Sequence, residues 1–284
     1  MRMKLFGLGV ITIAMFCSAF TQQPAAPQPT SLPGAESKVY KTIGETKLML
    51  HVFQPADRKA GETRPAIVFS FGGGWRQGTV MQFVEHSKHL AARGMVAIAA
   101  DYRVKSRHGV TPVECIADAK SAIRWVRSHA KEFGIDPNRI AAGGGSAGGH
   151  LAASTATVKE FDEKGEDLKV SSASNALALF NPALDTSKIP ADYGFGNKAV
   201  VASPVNHIRN GLPPAIIFHG TADSTVPINQ AVRFCEEMAK HIIAANWCST
   251  KEGNMGSSIS GAAMEATFAR RCKSWMSSWF RWDI

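Results

Sequence analysis

The stretch Gly144-Gly145-Ser146-Ala147-Gly148 decides the fold of this 284-residue chain. A short predicted strand, 139–142, precedes it, and the small residues from 147 onward predict a helix. Glycines on both sides of a serine let strand and helix approach closely, so that the hydroxyl rises above the sheet beside a helix N-terminus. An ordinary glycine-rich turn is the alternative, and the flanking strand and helix argue against it. We therefore predict that Ser146 is a nucleophile on a strand-to-helix turn.

A second glycine-rich stretch, Phe71-Gly72-Gly73-Gly74-Trp75, follows a predicted buried strand at 66–71. The backbone N–H groups of such a loop can point at a substrate oxygen, because no side chain blocks the approach. A simple connecting loop is the alternative, but it does not require three glycines. Together with the serine turn, the stretch predicts an oxyanion hole made by the N–H groups of Gly73, Gly74 and Ala147.

A carboxylate stands at the end of a third motif, His219-Gly220-Thr221-Ala222-Asp223, which closes a predicted strand at 215–219. The carboxyl ends of parallel strands form the ligand side of such sheets. There Asp223 would orient an imidazole and stabilise it when protonated. The alternative role is the capping of a helix, which is less plausible beside the other two motifs.

Short apolar runs alternate with helical stretches along the chain, with strands predicted at 66–71, 95–100, 139–142, 176–180 and 215–219. This alternation predicts an α/β fold with a mostly parallel central sheet and helices on both faces. In one helix Ile116, Ala119, Ile123, Val126 and Ala130 share a face, and Asp118, Lys120, Arg124 and Arg127 lie on the other. No repeat or second domain is evident, so we place one domain at 38–248.

These motifs, with Asp101-Tyr102-Arg103, stand in the order of the α/β-hydrolase superfamily. Residues 38–246 resemble the bacterial esterase branch related to hormone-sensitive lipase and to small acetyl-ester hydrolases. The resemblance implies a serine esterase for small acyl or acetyl esters, including esters of carbohydrate, with Ser146 as nucleophile and Asp223 as triad acid. It implies no metal and no organic cofactor. Phe71 stands where the family usually has a histidine that shapes the loop, and we expect the backbone donors to remain available.

The triad histidine of this family follows the acid and lies after the last strand. Downstream of Asp223 the only histidine is His241, within a stretch, 231–245, that we predict to be helical. Without a base the serine hydroxyl is a poor nucleophile. A second hypothesis is therefore a binding protein that keeps the ester pocket but is catalytically impaired. A peptidase on the same fold fits less well, since no added domain would select peptides.

The composition of residues 249–284 differs from that of the preceding domain. The segment contains no Leu and no Val, and it carries Trp275, Trp279 and Trp282 without a clean apolar period. With freely chosen synonymous codons, one alternative reading frame lets residues 254–259 give His-Gly-Phe-Phe-Asn. We hypothesise a frameshift entering near Ala245, either a sequencing error or a real lesion. The last strand and the closing helix are therefore doubtful, and we expect poor solubility from the exposed sheet edge.

The N-terminus has the layout of a secretory signal peptide at 1–20, with Arg2 and Lys4 before an apolar stretch and small residues after it. Four prolines at 21–34 indicate that 21–37 is a flexible spacer. We expect a secreted or periplasmic protein with no stable membrane span after cleavage. In such an oxidising compartment Cys235 and Cys248 could pair, which the sequence alone leaves open.

The net charge of +9 is scattered, with no run of five or six consecutive Lys or Arg residues. Nucleic-acid binding is therefore disfavoured. The hydrophobic content of 45% excludes a disordered chain and is sufficient for one large core. The expected partner is a small-molecule or carbohydrate ester.

Overall fold

A computed structural model describes residues 27–250, and within them eight strands form a single sheet. The strands are β1 (Glu36–Ile43), β2 (Thr46–Phe53), β3 (Arg64–Ser70), β4 (Val96–Ala100), β5 (Ile135–Gly145), β6 (Ala176–Phe180), β7 (Ala215–Gly220) and β8 (Ala245–Thr250). Their order across the sheet is β1-β2-β4-β3-β5-β6-β7-β8. β2 pairs antiparallel with β1 and with β4, and all later neighbours pair in parallel. The predicted mostly parallel sheet is confirmed.

The α-helices are α1 (Val84–Ala91), α2 (Lys105–His108), α3 (Pro112–Ser128), α4 (Ala130–Phe133), α5 (Ala147–Thr157) and α6 (Asn229–Lys240). Short 3-10 helices lie at Val80–Phe83, Thr186–Lys188, Ala191–Tyr193, Gly196–Lys198 and Pro204–His207. The longest helix, α3, begins with a capping box in which Thr111 and Glu114 satisfy each other's backbone N–H groups. Among the described helices, none combines the length and apolar character that crossing a bilayer requires.

Apolar side chains pack on both faces of the sheet, because the alternate residues of its buried strands point to opposite sides. One core cluster joins the sheet to α3, α5 and α6 through residues such as Ile123, Ala153 and Phe234. A cluster on the opposite face includes Phe69, Phe83 and Leu90 of α1. Helices therefore cover both faces, as predicted, and β5 carries the serine turn from the middle of the sheet.

The polar side of α3 is buried beneath the segment 159–170. Asp118, Lys120 and Arg124 are each less than a tenth exposed. Asp118 binds Lys41 and Arg103, while Asp162 accepts from both Lys120 and Arg124 at 2.9 and 2.7 Å. The helical period correctly predicted that these charged residues share one side of α3. Only the fold brings to them the oppositely charged residues that allow this side to be buried.

The N-terminal part of the described chain differs from the expectation of a flexible spacer. The Gln28 side chain donates to the Gly78 carbonyl and accepts from the Val80 N–H. Leu32 is buried, and β1 already begins at Glu36. The Gln28 amide and the Leu32 side chain thus help to attach this proline-rich segment to the domain. Residues 1–20, predicted as a signal peptide, lie outside the described residues.

The last strand, which the sequence left in doubt, is present. The predicted helix at 231–245 is wrong at its end, because α6 stops at Lys240 and β8 begins at Ala245. β8 pairs in parallel with β7 from Ala215 to Gly220. The strand thus extends two residues into the aberrant tail predicted at 249–284, whose remainder, with the closing helix, lies outside the described residues.

Candidate active site

Ser146 occupies a strained backbone position between β5 and α5. Its φ of 54° and ψ of −116° are unfavourable for a residue with a side chain, and such strain concentrates at functional turns. Three hydrogen bonds hold the turn: the Ser146 N–H donates to the Phe180 carbonyl at 2.9 Å, and the Ser146 carbonyl accepts from His150 and Ala183. The predicted strand-to-helix turn is therefore present, with a serine that is 7% exposed.

Glycines around Ser146 are required by close backbone contacts. A Cβ atom at Gly148 would lie 2.1 Å from the Ser70 carbonyl oxygen, and one at Gly144 would lie 2.4 Å from the Gly148 carbonyl oxygen. Both distances are far below van der Waals contact. The start of α5 can therefore pack directly against the end of β3, and the sequence inference from these glycines is correct.

The glycine loop after β3 lies against the serine turn. A Cβ at Gly72 would be 3.5 Å from the Ser146 Cβ, and Gly73 and Gly74 have φ angles of 130° and 62°. In the described chain, the N–H groups of Gly73, Gly74 and Ala147 donate to no protein acceptor. They remain available to an oxyanion, and Ala147 adds the N-terminus of α5.

Phe71 fills the place of the histidine expected before these glycines. Its ring stacks on Tyr102 with centroids 4.1 Å apart, and the Tyr102 hydroxyl donates to the Phe71 carbonyl at 2.7 Å. The Gln82 side chain accepts from the Gly72 N–H. Stacking and these two hydrogen bonds therefore fix the loop without a histidine.

Behind the loop, His150 is fully buried and committed to structural hydrogen bonds. Its Nδ1 accepts from the Trp75 indole N–H at 3.1 Å, so its Nε2 carries the proton and donates to the Ala202 carbonyl at 2.8 Å. Burial lowers the pKa of His150 to about 4. This imidazole is held neutral with both nitrogens occupied, and it has no free nitrogen to act as a base.

Asp223 lies in the loop after β7 with one carboxylate oxygen held and the other without a partner. Its Oδ1 accepts from the N–H groups of Thr225 and Val226 at 2.9 and 3.0 Å. Its Oδ2 is buried and accepts no hydrogen bond from the described residues. His219 Nε2 is 3.9 Å from that oxygen, but it lies 2.7 Å from the Val226 carbonyl, to which it donates. Its neighbours Ser224, Thr225 and Val226 line the cavity of Ser146, but Asp223 itself is not among the lining residues.

All nine histidines of the chain lie within the described residues, and none of them lines the cavity that contains Ser146. His241, the one histidine after Asp223, follows the end of α6 and bonds to Asn210 at 2.7 Å. The structure therefore brings together the predicted nucleophile and the predicted oxyanion donors, and it brings no histidine to them.

The cavity at Ser146 has a volume of about 840 Å³ and is lined by both polar and apolar side chains. One wall is the segment 183–193, which follows β6, and another is the first turn of α6 with Asn229, Gln230 and Arg233. Sequence reasoning missed these walls, because no motif marks them. The one available signal was their position after the carboxyl ends of β6 and β7, where ligands bind in parallel sheets.

Two cations of the cavity are paired and one is not. Arg76 binds Asp192 at 2.7 Å and lies over the Tyr193 ring, and Arg233 binds Asp185 at 2.5 Å. Lys188 forms no ion pair with any described residue. Because Lys188 is exposed and has no ion pair among the described residues, it leaves positive potential at its wall of the cavity.

The structure bears on the pairing of Cys235 with Cys248, which the sequence left open. Cys235 on α6 has a free thiol, and burial raises its pKa to about 11. The protonated thiol is therefore unreactive at neutral pH.

Comparisons with known proteins agree with this geometry. A family described as BD-FAE matches residues 50–187 and 194–238. The probable carboxylic ester hydrolase LipM and the esterase LipC, both of Mycobacterium tuberculosis, are each 32% identical, over 66% and 64% of this chain. The chain spans about half the length of these two curated relatives, 48% and 50%.

Among solved structures, the esterase Est2 of Thermogutta terrifontis is 44% identical, with a TM-score of 0.81. The match covers 87% of this chain and 92% of that chain. The same esterase phosphorylated by paraoxon gives 46% identity and a TM-score of 0.81 over 87% of this chain and 94% of its own. These likenesses confirm the α/β-hydrolase fold.

Proposed function

This chain belongs to the BD-FAE family and has the α/β-hydrolase fold, and from that premise we propose that it hydrolyses carboxylic esters with Ser146 as the nucleophile. One observation carries the proposal. Ser146 stands at a strained turn in the wall of a cavity, next to three backbone N–H groups without protein acceptors in the described chain. Hydroxyl and donors so placed are what acyl transfer requires.

In the proposed reaction Ser146 Oγ attacks the ester carbonyl carbon, and the N–H groups of Gly73, Gly74 and Ala147 stabilise the oxyanion. The intermediate expels the alcohol, and water then releases the carboxylic acid from Ser146. A histidine held by Asp223 would take the hydroxyl proton in a complete triad. Because no histidine lines this cavity, we expect slow turnover; removing the base from a serine-protease triad costs on the order of 10⁶-fold.

The proposed substrates are esters of short acyl groups with polar alcohols, including acetylated carbohydrate. Structures of the Thermogutta terrifontis esterase with propionate and with butyrate support short acyl groups. Three polar side chains of the cavity lining, Gln77, Asn229 and Gln230, support a hydroxyl-rich alcohol. We also propose export to the periplasm or the medium, on the strength of the signal-peptide layout at 1–20.

The experiment compares the full chain with Ser146→Ala and with the control Ser106→Ala, which alters another serine of the same cavity. Turnover of 4-nitrophenyl acetate and butyrate is measured, and paraoxon labelling is followed by mass spectrometry. We expect Ser106→Ala to retain labelling and turnover and Ser146→Ala to lose both. Equal turnover by the unmodified chain and Ser146→Ala would contradict the proposal.

A second candidate is a binding protein that retains the ester pocket with impaired catalysis, and the absence of a histidine from the cavity favours it. It predicts saturable binding of an acetylated sugar by the full chain without measurable release of acetate. Isothermal titration together with an acetate assay on the same sample distinguishes the two functions.

A further inference from the structure

A second cavity, which we call the amino-end cavity, lies at the opposite edge of the sheet from Ser146. Residues at the amino ends of the parallel strands β5, β6 and β7 line it, whereas Ser146 follows the carboxyl end of β5. Ala156, near the end of α5, also belongs to its lining. Because α5 has 11 residues and a helix rises about 1.5 Å per residue, roughly 16 Å separate the two sites. The volume of the amino-end cavity is about 840 Å³, and it shares no lining residue with the Ser146 cavity.

The lining of the amino-end cavity carries positive charge and no carboxylate. Its charged side chains are Arg127, Lys169 and Arg209, and no Asp or Glu lines it. Within residues 27–250, none of these three cations forms an ion pair. Since cations without nearby carboxylates raise the positive potential between them, the cavity favours an anionic ligand.

Neutral acceptors fix the Arg127 guanidinium at the wall of this cavity. Its Nε donates to the Pro137 carbonyl at 3.0 Å, and its Nη2 donates to the Ala173 carbonyl at 2.8 Å and to Asn175 Oδ1 at 3.1 Å. Its Nη1 donates to the Ser171 carbonyl. An arginine side chain stays protonated in proteins, so these bonds orient its charge without cancelling it.

The Arg209 guanidinium is fixed in the same way, but it keeps N–H groups without acceptors. Its Nη1 donates to the carbonyls of Thr157 and His207 at 2.6 and 2.9 Å, and its Nη2 donates to the Ala156 carbonyl at 3.3 Å. A guanidinium has five N–H groups, so the Nε–H and one Nη2–H donate to no described residue. Nε is also not enclosed by protein atoms. Nε and Nη2 form one edge of the guanidinium, and such an edge binds two oxygen atoms of one oxyanion.

The neutral part of the lining fits a larger molecule than an inorganic oxyanion. A phosphate ion has five heavy atoms and would fill only a small part of this volume. The exposed side chains of Ser128 and Asn138 supply hydrogen-bonding groups, and Leu212, Pro213 and Pro214 supply an apolar side. Hydroxyl groups and ring carbons of a sugar match these two kinds of surface.

We propose that the amino-end cavity binds the phosphate monoester of a hydroxyl-rich small molecule, a sugar phosphate, with Arg127, Lys169 and Arg209 around the phosphate group. A phosphate monoester carries nearly two negative charges at neutral pH, which matches three cations better than the single charge of a carboxylate. This site is separate from Ser146, and ligand binding there does not depend on ester hydrolysis.

The test measures the binding of glucose 6-phosphate to the full chain by isothermal titration at low ionic strength, with glucose and inorganic phosphate as comparisons. We expect glucose 6-phosphate to bind at least about 10-fold more tightly than glucose, and its affinity to fall as NaCl is added. Inorganic phosphate should bind more weakly than glucose 6-phosphate, because it lacks the contacts of the sugar. Equal affinity for glucose 6-phosphate and for either comparison compound would overturn the proposal.

Substitutions in the lining test which residues hold the phosphate group. Arg209→Lys keeps the charge but loses the two-nitrogen edge, so we expect at least about 10-fold weaker binding of glucose 6-phosphate. Lys169→Gln removes an exposed cation and should weaken binding about 3-fold. Lys164→Gln is the matched control, since Lys164 is exposed in the same segment but does not line the cavity. Equal affinities of Lys169→Gln and Lys164→Gln would contradict the proposal, even if Arg209→Lys failed to fold.

A last control distinguishes the two cavities. The Ser146 cavity also carries a cation without an ion pair among the described residues, Lys188, and a phosphate group could bind there instead. Lys188→Gln is therefore expected to keep the affinity of the unmodified chain for glucose 6-phosphate. If Lys188→Gln weakens binding and Lys169→Gln does not, the ligand occupies the Ser146 cavity and the inference is overturned.

Discussion

The Trp75 indole N–H donates to His150 Nδ1 at 3.1 Å, and this bond joins the glycine loop to the helix that follows the nucleophile. His150 extends the link to the Ala202 carbonyl, and Phe195 packs against both rings. The loop and the helix carry the N–H groups that we propose as the oxyanion hole. A buried histidine near the nucleophile thus serves to hold the site together.

The free energy of unfolding should fall on acidification because of His150. Its pKa is about 4 in the folded protein and near 6.5 when exposed, so the unfolded chain binds the proton more tightly. The contribution is fully present above about pH 7, falls between pH 6.5 and 4, and amounts to roughly 3 kcal/mol. Urea melts across this range measure it.

Burial acts in the opposite direction on Asp101, whose pKa is raised to about 7. The control therefore compares how steeply the free energy of unfolding changes with pH in the full chain and in His150→Gln, which retains Asp101. If the free energy of unfolding depends on pH equally in His150→Gln and in the full chain, the buried neutral imidazole is not the cause of that dependence.

Gly148→Ala should destabilise the protein and abolish Ser146-dependent turnover. The added methyl would lie 2.1 Å from the Ser70 carbonyl oxygen and 2.4 Å from that of Phe71, both rigid backbone atoms. We expect a loss of about 3 kcal/mol in the free energy of unfolding. Gly165→Ala is the control, since nothing lies within 4 Å there and only its φ of 88° is strained, costing about 1 kcal/mol. If thermal melts show the same loss of stability in Gly148→Ala and in Gly165→Ala, the close backbone contacts at Gly148 are not the cause.

Asp118→Asn should be among the most destabilising charge changes in the described chain. Asp118 is fully buried and accepts from Arg103 and Lys41 at 2.7 to 2.8 Å, so its neutralisation leaves these two cations with Glu163 as their one remaining carboxylate among the described residues. We expect a loss of about 3 kcal/mol. Glu85→Gln breaks an exposed pair with Lys88 and should cost under about 1 kcal/mol. Chemical denaturation of both variants separates them, and similar costs would argue against burial as the cause.

Resequencing the coding DNA across codons 240–284 tests the frameshift hypothesis. We expect an inserted or missing base near the codon of Ala245, which would replace residues from there onward and restore a histidine after β8. A restored histidine would supply the base that the present chain lacks. Confirmation of the present frame would instead make a hydrolase without a triad histidine the natural product.

The sequence alone determined the two glycine-containing turns of the candidate site, because the conformation of each turn depends on a few consecutive residues. Glycines beside Ser146 and in the loop before Trp75 are needed where backbones touch, and a few consecutive residues encode that need. The alternation of apolar strands and helices determined the parallel sheet for the same reason. The absence of a histidine after His241 could also be seen in the sequence.

Only the tertiary structure decided what depends on residues far apart in the chain. Periodicity could not show that the charged face of α3 is buried, because its partner Asp162 lies about 40 positions away from Lys120 and Arg124. Periodicity also could not show that His150 accepts a hydrogen bond from Trp75. Nor could it show that only one carboxylate oxygen of Asp223 accepts hydrogen bonds from its own loop. Hydrogen bonds and ion pairs depend on distance and direction in space, and the pattern of a segment specifies only the conformation and the buried side of that segment.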